Sequence, residues 1–241
     1  MAHRRLSSVP RALLALVPLA LAAQILFAVA QPRPEARAEQ MPSPPSSSVL
    51  HALSLGDPVA LAQTFTLWLQ AFDNQPGISI PFLDLDYGKV EAWLQRILEL
   101  DPRGQYPLLM ASQLYAEVPD EKKQRAMMEF VYREFLLDPN RRWPWLAHAA
   151  IMTKHRLKDL PLALRYADAI SAHATGADVP HWATQMRIFI HEDMGEYETA
   201  KVLLGGLLDS GVVKDDHELH LLIERLNQLK DAEKSSRPSE K

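Results

Sequence analysis

Three stretches decide the fold: residues 121–137, EKKQRAMMEFVYREFLL; residues 158–174, KDLPLALRYADAISAHA; and residues 195–211, GEYETAKVLLGGLLDSG. They recur every 37 residues, which sets Ala126, Ala163 and Ala200 in one column and Phe130, Ala167 and Leu204 in another, four residues on. The same interval puts Leu108 on Trp145 and Trp182, and Leu109 on Leu146 and Ala183. It also puts Leu114 on Ile151 and Ile188, and Tyr115 on Met152 and Phe189. A period of this size implies supersecondary units too small to bury their apolar faces alone, so that copies must stack. The expected fold is all-α. It is a right-handed α-solenoid of helix-turn-helix repeats over residues 49–230, preceded by one N-terminal hydrophobic helix.

Ala126-x3-Phe130, Asp138-Pro139 and Gly195-x-Tyr197-x2-Ala200 resemble the second half of a tetratricopeptide repeat. The resemblance covers residues 86–211. It implies a small residue where the second helix of each pair meets the first, and a concave surface that accepts a peptide, a helix or a neighbouring protein. The unit here is 37 residues rather than the family's 34, Ile188 stands where the family has a small residue, and Val212 stands where it closes with proline.

Outward from the repeats, residues 1–11 are basic through Arg4, Arg5 and Arg11, and residues 12–30 are an uncharged run of 19 residues interrupted by Pro18 and Gln24. At 1.5 Å per residue such a run reaches across a bilayer core of about 30 Å. An uncleaved signal anchor is expected, with a cleavable signal peptide ending near Ala28-Val29-Ala30 as its rival. The leading arginines keep the N-terminus cytoplasmic, so the helical domain is expected in a bacterial periplasm, single-pass at the inner membrane or soluble after cleavage near Ala30. The chain has no cysteine and no Asn-x-Ser/Thr site. Beyond residue 30, 23 bases face 30 acids, a balance of −7 that argues against nucleic acid.

Residues 31–48 hold five prolines and four serines and read as an extended linker. Asp57-Pro58 starts a helix whose apolar face is Leu61, Phe65, Trp68, Leu69 and Phe72. Residues 74–85 read as a hydrophobic hook rather than a binding loop, and Asp101-Pro102 ends the next helix. Six helices follow, expected at 103–117, 120–137, 141–155, 159–173, 179–193 and 196–209, with Gly195 and Gly211 as turn residues. Leu219, Leu222, Ile223, Leu226 and Leu229 mark a capping helix, and residues 231–241 read as a disordered tail.

No pattern in the chain points to catalysis or to a cofactor. Phosphate loops, Gly-x-Ser-x-Gly and His-Glu-x-x-His are absent. His217 and His220 share a helix edge without a third ligand, and Gly205-Gly206 reads as a close helix contact. Arg141, Arg142 and Trp143, with His148 and His155 on one face, are the candidate protein-binding residues, because Trp and Arg dominate binding hot spots. Trp145 reads as core. The expected function is a non-catalytic scaffold of the cell envelope that binds protein or peptide partners for assembly, secretion or chaperone-like work. The alternatives are a small-ligand or metal-dependent enzyme using groove histidines, and a self-associating structural element.

Overall fold

The computed structural model describes residues 11–31, 38–211, 213 and 215–236. It is 75% helical, with eleven α-helices and only two two-residue strands among the described residues. The basic residues Arg4 and Arg5, with Arg33, Arg37, Val212 and the last five residues of the expected tail, lie outside that description. The chain divides into two compact units, one holding residues up to Glu39 with Gln75–Ser79, the other Gln40–Asn74 with Ile80 onward.

In the first unit, α1 (Arg11–Ala30) runs unbroken through Pro18, and its side chains from Ala15 to Ala30 are exposed. Among the described residues no helix is long and apolar enough to cross a membrane. The Gln75 side chain brackets the Glu39 backbone, accepting from its N–H (2.7 Å) and donating to its carbonyl (3.0 Å).

The second unit starts with α2 (Ser47–Leu53), α3 (Pro58–Ala71) and α4 (Tyr87–Leu100). The short α5 (Tyr106–Leu109) continues as a π-helical turn, Met110–Leu114, and a 3₁₀ turn, Tyr115–Glu117. Then come α6 (Glu121–Leu137) and α7 (Pro139–Met152), the latter continued by a π-helical turn at Thr153–Leu157. The chain finishes with α8 (Leu160–His173), α9 (His181–Asp193), α10 (Tyr197–Asp209) and α11 (Asp216–Ser236). Aspartates open the helices because a carboxylate satisfies N–H groups that have no partner in the first turn. Asp57 accepts from the Ala60 N–H (2.9 Å), Asp86 from Gly88 (3.0 Å), Asp120 from Lys123 (3.0 Å) and Asp159 from Leu162 (3.0 Å). Arg125 in turn bridges Asp159 (2.6 Å) and Glu121 (2.8 Å), and this guanidinium holds the Asp159 carboxyl below the usual carboxylate range. Gly195 (φ 75°) and Gly211 (φ 63°) supply the left-handed conformation that ends α9 and α10.

Helices adjacent in sequence pack on each other: α3 on α4, then α6 on α7 and so on through α11. The main core gathers residues from Met41 to Ala183, and a smaller cluster of Ile188, Ala200, Leu204, Val213, Leu222 and Leu229 closes the C-terminal end. Many polar links between distant elements join residues separated by 33 to 40 positions. Gln70 to Tyr106 and Asn140 to Gly176 are 36 residues apart, Arg125 to Asp159 34, Trp145 to Gln105 40 and Arg225 to Glu192 33.

Several expectations need correction. Ala163 and Ala200 are fully buried, as are Phe130, Ala167 and Leu204, but Ala126 is only half-buried and Met127 beside it takes the buried position. In the first helix of each pair, Leu108 is buried, Trp145 half-buried and Trp182 exposed, so they do not share one environment. Two π-helical turns also break the expected regularity, each inserting about one residue. The helix expected at 103–117 is accordingly the broken series from α5 to Glu117. Residues 41–48 are no spacer: Met41 is buried and α2 begins at Ser47, because Lys89 and Trp93 satisfy the carbonyls of Met41 and Pro42. The helix expected to end before the tail continues to Ser236, since Ala232, Glu233 and Lys234 are strong helix formers.

The 74–85 segment contains β1 (Asn74–Gln75) and β2 (Ile78–Ser79), and Phe82–Asp84 forms a 3₁₀ turn. Ile80 and Phe82 pack on the main core, Phe82 edge-on to Tyr115 (5.6 Å, 79°), and Leu85 is buried. Lys123 ties the segment down by donating to the carbonyls of Leu83 and Leu85. Gly205 and Gly206 make no close helix contact, for a Cβ added at either finds open space. Both lie inside α10, where glycine costs backbone entropy without a packing return. Gly205→Ala and Gly206→Ala should each raise the stability measured by urea unfolding by roughly 0.5–1 kcal/mol.

Candidate functional site

Asp138-Pro139 starts α7 and thereby fixes which way its first turn points. Arg141 stays exposed and pairs with Asp138 (3.2 Å). Arg142 turns inward, which corrects its expected role in recognition. Its side chain is 5% exposed and that of Glu134 11%, with Nη1 donating to the Glu134 carboxylate (2.8 Å) and carbonyl (2.7 Å). Nη2 donates to the Pro102 carbonyl (3.0 Å), so one guanidinium holds the end of α6, the start of α7 and the loop after α4. Burial pushes the Glu134 carboxyl above the usual carboxylate range despite the opposing pull of Arg142.

Trp143, half-buried, stands edge-on to Trp182 of α9 (5.4 Å between centroids, 76°), and Trp182 is 51% exposed. Farther along, Ile151 of α7 and Phe189 of α9 are 44% and 40% exposed and share a cleft of ≈ 120 Å³ with Ala150, Lys154, His155, Met186 and Ile190. Trp182 and Phe189 are seven residues apart, two helical turns, so they lie along the same edge of α9. Lys154, paired with Asp193, borders the cleft at the far end of this apolar strip.

Of the two histidines expected to share a groove, only His155 lines this cleft, and it is exposed. His148 is half-buried with no hydrogen-bond partner for Nε2, and burial lowers its pKa against the opposing Glu117 charge and a hydrogen bond to the Ser112 backbone. His155 lies within the π-helical turn that follows Met152, which breaks the simple seven-residue relation that suggested a shared face. Trp145 is half-buried and donates through Nε1 to Gln105 (2.6 Å), a link between helix starts rather than full burial. Gly195 sits between α9 and α10 and Tyr197 begins α10, and across this turn His191 Nδ1 meets Glu196 Oε2 (2.6 Å).

Among the described residues, no group of three or more His, Asp or Glu side chains is placed to hold a metal ion. His217 and His220 are exposed at the start of α11. A larger cleft of ≈ 480 Å³ lies where α3, the end of α4 and the start of α5 meet. Its polar lining includes Gln63, Thr66, Gln70, Asp101 and Tyr106, and Gln70 donates to the Tyr106 hydroxyl (2.6 Å). No motif marks it, since its walls come from residues 62–70 and 97–107, joined only by folding.

Removing Arg142 alone strands a buried carboxylate. Arg142→Met should cost about 3–5 kcal/mol in urea unfolding at neutral pH, and adding Glu134→Leu should recover most of it. Glu134, raised when folded, binds its proton more tightly in the native than in the unfolded state. The Arg142→Met variant should therefore lose stability as pH rises above the usual carboxylate range and regain part of it on acidification; a pH-flat difference from the double variant would contradict this. No family model, no curated protein and no solved structure matches this chain.

Proposed function

We propose that this chain is a non-catalytic binding protein, a helix-pair scaffold of the tetratricopeptide-like kind, whose recognition face is the strip formed by α7 and α9. The observation that carries the reading is the exposure of Trp182, Ile151 and Phe189 together with the Trp143 edge, on helices whose other faces are buried. An amphipathic helix or an extended peptide bearing two apolar anchors about two turns apart fits such a strip. The Lys154–Asp193 pair beside it supplies register rather than affinity.

The repeat reading draws support from the packing of sequence neighbours and from polar links that recur at separations of 33 to 40 residues. That is the contact pattern of stacked units. The location we propose is the periplasmic side of a bacterial inner membrane, held by residues 12–30 or released by cleavage near Ala30. The leading arginines and the uncharged run support it.

A second reading, small-ligand binding, is favoured by the ≈ 480 Å³ cleft, which falls within the usual size of ligand pockets. It replaces the groove histidines of the sequence-based alternative.

The first reading is tested with the full chain immobilised against envelope extract. Trp182→Ala/Phe189→Ala should lose the captured protein by roughly tenfold or more while keeping its melting temperature, as expected for hot-spot aromatics. Equal capture by the double variant overturns the assignment of the face, and capture of nothing by the unaltered chain counts against the scaffold reading.

A further inference from the structure

Residues Met41-Pro42-Ser43-Pro44-Pro45-Ser46 lie across α3 and α4 as an extended strap. Proline fixes φ near −65°, and the residues before each proline are confined to extended backbone. Ser46, at φ −63° and ψ 153°, has the polyproline-II geometry. In that helix three residues make one turn, so Pro42 and Pro45 fall on the same side. A segment already held in this shape loses little conformational entropy when it docks.

Its seat is aromatic. Trp93 of α4 lies between Phe65 (5.0 Å between centroids) and Trp68 (4.7 Å) of α3, and Trp68 meets Phe72 at 5.3 Å. Prolines offer no N–H, so recognition falls to the carbonyls. Trp93 donates its indole N–H to the Pro42 carbonyl (2.9 Å) and Lys89 its amine to the Met41 carbonyl (2.7 Å), while Met41 itself is buried. The strap does not fill the groove: a cleft of ≈ 360 Å³ remains between Pro42, Ser43 and Pro45 and the side chains of Thr64, Phe65, Trp68 and Trp93.

Aromatic walls, an indole donor aimed at a carbonyl, and prolines at i and i+3 are the chemistry by which polyproline-II segments are read. We infer that the Phe65/Trp68/Trp93 groove is a receptor for proline-rich segments, occupied in cis by residues 42–45. A proline-rich segment of a partner protein enters at the open cleft and exchanges with the strap. The site is separate from the α7/α9 face, and neither depends on the other.

The probe is a fluorescent peptide of residues 38–48, AEQMPSPPSSS, titrated into the full chain. A tethered strap competes at an effective concentration on the order of millimolar. The variant Pro42→Gly/Pro44→Gly/Pro45→Gly should therefore bind the peptide at least roughly tenfold more tightly than the unaltered chain. Adding Trp93→Phe, which keeps a ring and deletes the donor, should weaken binding by about three- to tenfold. A peptide with its three prolines replaced by alanine should not bind. No binding by a cooperatively folding triple variant, or equal binding of the alanine peptide, overturns the inference. Independently of that variant, Ser43→Cys with a nitroxide on the otherwise unaltered chain should gain a mobile spectral component when excess peptide is added. An unchanged spectrum overturns the exchange.

Discussion

The buried contact of Arg142 with Glu134 and the Pro102 carbonyl governs the middle of the helical unit. A guanidinium out of water must find partners for its donors, and here Nη1 and Nη2 find them in α6 and in the loop after α4. The requirement sets the direction in which α7 leaves α6. With Arg142 turned inward, Trp143 is carried to the edge of α7 where it meets Trp182. A deeply buried arginine therefore decides what the neighbouring surface displays without itself being displayed.

The π-helical turns do the complementary work. They interrupt the regular spacing of burial at residues 110–114 and 153–157. Tyr115 is fully buried, Met152 half-buried and Phe189 40% exposed, although they are 37 residues apart in sequence. Packing is satisfied locally, and in α6 Met127 rather than Ala126 takes the buried position. What remains outside is an apolar strip that the helices do not need for their own burial.

At the other end of the same unit, three aromatic rings on α3 and α4 would present a large apolar surface to water if nothing covered them. The proline segment covers part of it, using carbonyls that proline-rich backbone cannot pair within itself. Two surfaces of different character therefore belong to one helical unit: an open strip of Trp, Ile and Phe on α7 and α9, and a proline-capped aromatic groove on α3 and α4.

Helix positions were legible in the chain because their signals are local. Asp57-Pro58, Asp120 and Asp159 cap first turns from within three residues, and Gly195 and Gly211 end helices through their own backbone freedom. Side-chain environment was not legible to the same depth. Arg141 and Arg142 are adjacent and alike in sequence, yet one is exposed and the other buried, because the partners of Arg142 lie 8 and 40 residues away. The proline segment read as a spacer because its composition carries no core signal, and its two carbonyl partners stand 48 and 51 residues down the chain. Taken alone, the sequence determined an all-helical chain, its caps and its turns, since backbone geometry and hydrogen bonding within a few residues decide those. Tertiary structure alone decided which tryptophan faces water, which arginine is sealed in and where the prolines rest, because burial belongs to a pair of surfaces, and the second surface comes from a distant part of the chain.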